Sequence, residues 1–205
     1  MESPQPTVPV KRFNVGAIFN YLKDHAMDYL ILFLIAGIII GFDQWTKALV
    51  RANIPLGTEW LPGWLSWLMP YARIRHWYNS GAAFGIFQNG NLVFTTLAII
   101  VILLELYYYP RTERNDWWLR AAMALQFAGA GGNLVDRLYF KQVTDFISVG
   151  NFAIFNVADA SISVGVVVLL LGVWLREQAE KKRAGKVALP QEELPVPGKD
   201  EAQGG

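Results

Sequence analysis

Cysteine is absent from the chain, and histidine occurs only twice. Disulfides, a thiolate nucleophile and a cysteine-based metal site are therefore excluded. His25 and His76 both lie outside the long apolar runs, which argues against a serine–histidine dyad in a membrane core. No HExxH is present for a zinc protease, and no GxGD stands in an apolar run. Charge is also scarce: charged residues make up 17% of the 205, with a net charge of +1, so nothing argues for a nucleic-acid partner. Neither a cofactor nor a metal is expected.

What the chain has instead is apolar surface. Hydrophobic residues make up 53% and aromatics 14%, and the mean hydropathy is +0.26. This is more apolar than an average soluble domain. Tryptophan and tyrosine gather at the ends of apolar runs, as in Trp60, Trp64, Trp67, Tyr107, Tyr108, Tyr109, Trp117 and Trp118. Such rings favour the headgroup level of a bilayer. Four spans of near-bilayer length follow, at 28–49, 91–109, 117–135 and 153–175. A cleavable signal peptide is not expected, because the first run starts near Tyr29 behind a polar segment and is too long for an ordinary h-region.

The expected fold class is an all-α integral membrane protein with four transmembrane helices, a small extracytoplasmic β-cradle and a membrane-lying amphipathic segment. Residues 1–27 form a polar extension, Pro-rich and disordered over 1–12, with a short interfacial helix within 13–27. The membrane domain covers 28–175 and includes an outer loop at 51–90. Within that loop, 61–71 reads as lying on the membrane. The stretch 71–79 alternates as a strand, with Arg73, Arg75 and Trp77 on one face and Ile74, His76 and Tyr78 on the other. Residues 176–205 are charged, then rich in Pro and Gly, and are expected to be disordered. The N-terminal segment, the stretch joining spans two and three with Arg120 at the start of span three, and the tail hold 12 of the 18 lysines and arginines. The positive-inside rule then puts both termini in the cytoplasm.

Asp43 closes the first run, Asn133 and Asp136 close the third, and Asn156 and Asp159 open the fourth. In a four-span topology all five reach the outward face. A carboxylate near hydrocarbon is costly, so this convergence points to a functional site. Asp43 and Lys47 are four apart and read as a structural ion pair, with a direct catalytic role for Asp43 as the alternative. Asp136 beside Arg137 reads as a helix-end pair, or Arg137 instead holds a backbone carbonyl or a lipid phosphate. The Gly129–Gly132 stretch offers a small-residue packing surface. Asn79 to Gly85 is a turn that allows close backbone approach. Asp145 sits among apolar neighbours just beyond span three, where a lone Asp often forms a turn. Asp159, about two turns inside span four, has no such explanation. Two aspartates in a partly dry site can share a proton, one acting as base toward water and the other as acid toward a carbonyl. Spacing leaves open which two of Asp43, Asp136, Asp145 and Asp159 form that pair. A proton-coupled transporter is the competing reading, but the only strongly polar side chain near mid-span is Gln126.

Five motifs in order resemble the lipoprotein signal peptidase (signal peptidase II) family: DQWTK at 43–47, NSGAAFG at 79–85, GGNLVDR at 131–137, VTDF at 143–146 and FNVAD at 155–159. The resemblance covers about residues 28–175. It implies an aspartyl endopeptidase of the bacterial cytoplasmic (inner) membrane, acting at the outer surface and cleaving prolipoproteins before a diacylglyceryl-modified cysteine. It implies Asp145 and Asp159 as catalytic residues. Asn79, Asn133, Arg137 and Asn156 would be contacts to substrate and to globomycin-type inhibitors. Asp43, Lys47, Asp136 and Gly81 would be supporting residues. The implied partners are a lipid-modified prolipoprotein and membrane lipid, and the implied state is a monomer. The segment SVGNFAI at 148–154 is short for the family.

Overall fold

A computed structural model of the chain describes residues 15–81 and 90–187. The expectations for residues 1–12, for Ala82–Gly85 and for the tail beyond 187 lie outside the described residues. The element order is α1 (Val15–Asp24), α2 (Ala26–Asn53), β1 (Glu59–Trp60), β2 (Ala72–Asn79), α3 (Asn91–Tyr108), α4 (Trp117–Phe140), β3 (Val143–Val149) and α5 (Val157–Val187). A 3-10 turn over Gly63–Leu68 separates β1 from β2 and leaves Trp64 and Trp67 exposed.

Among the described residues three helices are long and apolar enough to cross a membrane: Ala26–Asn53, Asn91–Arg111 and Val157–Lys182. The third expected span is a 24-residue helix, α4, but it does not meet that measure of apolarity. The reason is its place in the fold. α4 packs against α2, α3 and α5, and most of its side chains from Ala122 to Asn133 face protein. It can therefore carry Arg120, Asn133 and Asp136 buried among partners. At the end of the bundle away from the sheet, Arg120 donates to Asp28 at 2.9 Å, tying α4 to the start of α2.

Small residues let these helices touch. A Cβ on Gly131 would come within 2.8 Å of Ile40, and one on Gly132 within 2.8 Å of Asp43 Oδ2. A Cβ on Gly129 would overlap the Ala158 carbonyl oxygen and the Ile162 side chain. The expected small-residue surface is therefore the seam between α4 and its neighbours.

Two boundaries differ from expectation. The fourth helix begins at Val157 rather than at residue 153, because Asn156 caps it (below). It also continues to Val187, past the expected end at 175. A Glu177–Lys181 pair at i,i+4 and 2.6 Å supports that extension, in a stretch of strong helix formers.

Among the described residues the strands form one antiparallel sheet of order β1-β2-β3. β3 was not expected as a strand, and VTDFISV does not alternate, but it pairs with β2 along its length. The register places Ile74 opposite Ile147 and Trp77 opposite Asp145, so two residues of β2, Arg75 and His76, face one of β3, Phe146. This bulge resets the alternation. Arg75 and Trp77 lie together as expected, with the guanidinium 5.3 Å from the indole ring, and the His76 and Tyr78 rings lie together with centroids 5.0 Å apart. Past the bulge Asn79 stands opposite Val143, and its side chain reaches diagonally to Asp145.

Gly129→Ala is expected to destabilise the bundle by about 1–3 kcal/mol, the usual range for overpacking. Gly37→Ala, with nothing within 4 Å of its Cβ, is the matched control. Thermal unfolding in detergent checks both, and equal melting temperatures would contradict the seam.

Candidate active site

The site is built outward from Lys47, a lysine with no exposed surface. Its Nζ lies 2.8 Å from Asp43 Oδ2, 3.4 Å from Asp136 Oδ2 and 3.1 Å from Asn133 Oδ1. Asp43 and Asp136 are equally buried. Asp136 also sits 3.7 Å from Arg51 Nη1, so two carboxylates face two cations. Gln44 Nε2 closes the cluster by donating to Asp43 Oδ2, the Gly132 carbonyl and Asp136 Oδ1 at 3.0–3.1 Å. The expected Asp43–Lys47 pair is present, buried inside the bundle rather than at a free helix end. The expected Asp136–Arg137 pair is not what Asp136 makes. Its carboxylate turns inward to Lys47 and accepts from the Thr144 amide at 2.8 Å. Neighbours at i,i+1 on a helix point about 100° apart, so Arg137 leaves that cluster. Arg137 lies 5.5 Å from the Phe94 ring and faces the cavity described below.

The free carboxylate oxygen of Asp43, Oδ1, crosses to α5 and accepts from the Ala158 amide at 2.9 Å. Asn156 Oδ1 accepts from the Asp159 amide at 2.9 Å, while Asp159 Oδ2 accepts from the Asn156 amide at 3.2 Å. This reciprocal arrangement is a capping box with amide and carboxylate in the usual places. Asp159 is therefore in the first turn of α5, not two turns inside it.

Three asparagines hold the remaining carboxylates. Asn133 donates from Nδ2 to Asp159 Oδ1 at 2.7 Å, and its Oδ1 accepts from Lys47 and from Asn156 Nδ2. Asn156 Nδ2 also donates to Asp145 Oδ1 at 2.7 Å. Asn79 Nδ2 donates to Asp145 Oδ2 at 3.0 Å, and its own Oδ1 accepts from the Gly81 amide at 3.0 Å, which fixes its direction. Sequence reasoning missed Gln44, whose place inside DQWTK was the available signal. Asp145 stands in the middle of a strand and is not the turn former its neighbours suggested.

Asp145 and Asp159, fourteen residues apart in sequence, line one cavity of about 590 Å³ with Asn79, Gly81, Phe94 and Arg137. Its remaining wall is largely apolar, from Phe152 to Phe155 and along α5 to Val164. Asp43, Lys47 and Asp136 lie behind the wall and do not line it. Burial, and then the neighbouring Asp159 charge, push the Asp145 carboxyl up to about 7, against hydrogen bonds from Asn79 and Asn156. Among the described residues no three His, Asp or Glu side chains are grouped to hold a metal ion.

Lys47→Ala is expected to lower stability by about 3–5 kcal/mol, because it leaves two buried carboxylates short of a cation. Yield and melting temperature in detergent measure this. A well-folded variant with wild-type stability and a large loss of rate would contradict the structural role.

A profile of the signal peptidase (SPase) II family matches residues 35–175. The lipoprotein signal peptidase of Bartonella tribocorum is 38% identical over 161 residues, 73% of this chain and 93% of its own. That of Enterococcus faecalis is 33% identical over 157 residues, 75% and 93% of the two chains. A bacterial membrane enzyme solved by the in meso method superposes with a TM-score of 0.66 at 29% identity, covering 74% of this chain and 91% of that one. The match runs through the helices that carry the polar cluster and nearly the full length of each relative, so the chain belongs to the signal peptidase II family and is an integral membrane protease.

Proposed function

We propose that this protein is an aspartyl endopeptidase that removes signal peptides from diacylglyceryl-modified prolipoproteins, cleaving before the lipidated cysteine. The family and the relatives' shared description support the substrate class. The observation that carries the chemistry is one cavity lined by two carboxyls of opposite character. Asp145 is buried on a strand and pushed up to about 7, whereas Asp159 sits at a helix N-terminus with two donors.

In this reading Asp159 is the ionised base and Asp145 the acid, and a water sits between them. Asp159 takes a proton from the water as its oxygen forms the bond to the scissile carbonyl carbon. Asp145 gives its proton to the carbonyl oxygen, which yields a neutral tetrahedral diol. Collapse returns a hydroxyl proton to Asp145 as the C–N bond breaks, and Asp159 hands its proton to the leaving amine. Both groups end as they began. Asn133 and Asn156 do not line the cavity and bond the two carboxyls and Lys47, so they act as positioning residues. Asn79 and Arg137, which face the cavity, are the substrate contacts and the contacts for globomycin-type inhibitors. The apolar wall receives the signal-peptide end, and the diacylglyceryl chains remain in lipid beside the helices.

The same reading makes α4 a transmembrane helix as well, the third of four in chain order. Residues 1–27, 28–175 and 176–205 serve as extension, peptidase domain and tail. The termini face the cytoplasm, and the site opens outward from the bacterial cytoplasmic (inner) membrane. One copy contains every group the mechanism uses, so it acts as a monomer.

Purified protein in detergent is expected to cleave a lipidated prolipoprotein and to leave the unlipidated precursor intact. Asp145→Asn and Asp159→Asn should fold and lose nearly all turnover, read by gel shift. Near-wild-type activity in either variant would sink the assignment.

A further inference from the structure

α1 lies outside the residues that match the family profile, which begins at 35. It buries none of its residues. Val15, Ile18, Phe19 and Leu22 are 68%, 43%, 68% and 48% exposed. Spaced i, i+3, i+4, i+7, they occupy one stripe of about 100° on the helix. Asn20 and Asp24 lie on the opposite side, and Lys23 flanks the stripe, where a long cationic side chain reaches from apolar to polar surroundings.

The rotation of α1 is set by its other flank. The Tyr21 ring sits 4.4 Å from the His25 ring, and Arg111 lies 4.9 Å from it. The same guanidinium stacks 3.7 Å from the Tyr107 ring at the end of α3. His25 pairs in turn with Asp28 at 3.3 Å, and Asp28 also holds Arg114 and Arg120. Tyr21 is thus clamped to the end of the bundle, and the apolar stripe faces away from it. Residue 25 leaves the helical backbone (φ −106, ψ 13), so α1 does not simply continue α2.

We infer that α1 is a surface-docking helix whose partner is the membrane itself: its apolar stripe enters the glycerol–acyl boundary of the leaflet at which α2 begins. The stripe is continuous with the lipid-facing side of α2, where Met27, Leu30, Phe33 and Leu34 are also exposed. A helix of this pattern lies in the interface with its apolar face sunk about 5–10 Å. Because Tyr21 and Arg111 join it to α3 and to the loop before α4, lipid docking braces the end of the bundle opposite the active site.

The absence of cysteine makes the test direct. Nitroxide-labelled Phe19→Cys and Asn20→Cys versions of the full chain are placed in nanodiscs of phosphatidylethanolamine and phosphatidylglycerol. The label at 19 should collide with oxygen several-fold more than with a water-soluble nickel chelate, and the label at 20 should show the reverse. Leu22→Cys should repeat the result at 19. Equal nickel access at 19 and 20 would place α1 in water and overturn the inference. Spin–spin broadening at 19 would assign the stripe to a second copy and overturn it equally.

Discussion

A buried ammonium group organises this protein. Lys47 has no contact with solvent, and its charge is balanced by Asp43 and Asp136 from two different helices. An ion pair in such surroundings is costly to form and costlier to break. Each partner therefore has to stay in place, and each has a second task. Asp43 reaches on to cap α5 through Ala158, and Asp136 fixes the Thr144 amide at the start of β3. Through these two bonds the cluster positions both elements that carry the proposed catalytic carboxyls. Asn133, which accepts from Lys47 and donates to Asp159, makes the link direct.

That cluster requires close approach of α2, α4 and α5, and the Gly129–Gly132 stretch provides it. Because α4 is enclosed by protein, its polar residues face partners rather than lipid. Low apolarity and central burial are two aspects of one arrangement. The cavity sits where this packed seam meets the sheet, with carboxyls at its polar end and an apolar wall along α5.

Much of this was legible in the residues. Apolar runs of near-bilayer length located α2, α3, α4 and α5, and the i,i+4 spacing of Asp43 and Lys47 announced their pair. The small-residue run announced its seam. What was not legible came from contacts between distant segments. The partner of Asp136 is set by where α2 passes α4, so adjacency to Arg137 misled. The start of α5 depends on Asn156 bonding Asp159 in a cap, which a hydropathy window does not register. The bulge in β2 requires β3 as its partner, and β3 itself went unrecognised as a strand. The five motifs in order pointed to the family, while the geometry separates residues facing the cavity from those that hold them.

The central claim is that Asp145 and Asp159 work with one proton between them. The most direct measurement is the pH dependence of kcat/KM on a lipidated prolipoprotein. Asp145 is raised to about 7, so it holds its proton below that pH and loses it above. The account predicts a rate that falls about tenfold per pH unit on the alkaline side, with an apparent pKa near 7 belonging to the pair. A rate that stays flat or rises through pH 9 would show that no protonated carboxyl is needed, and would contradict the account.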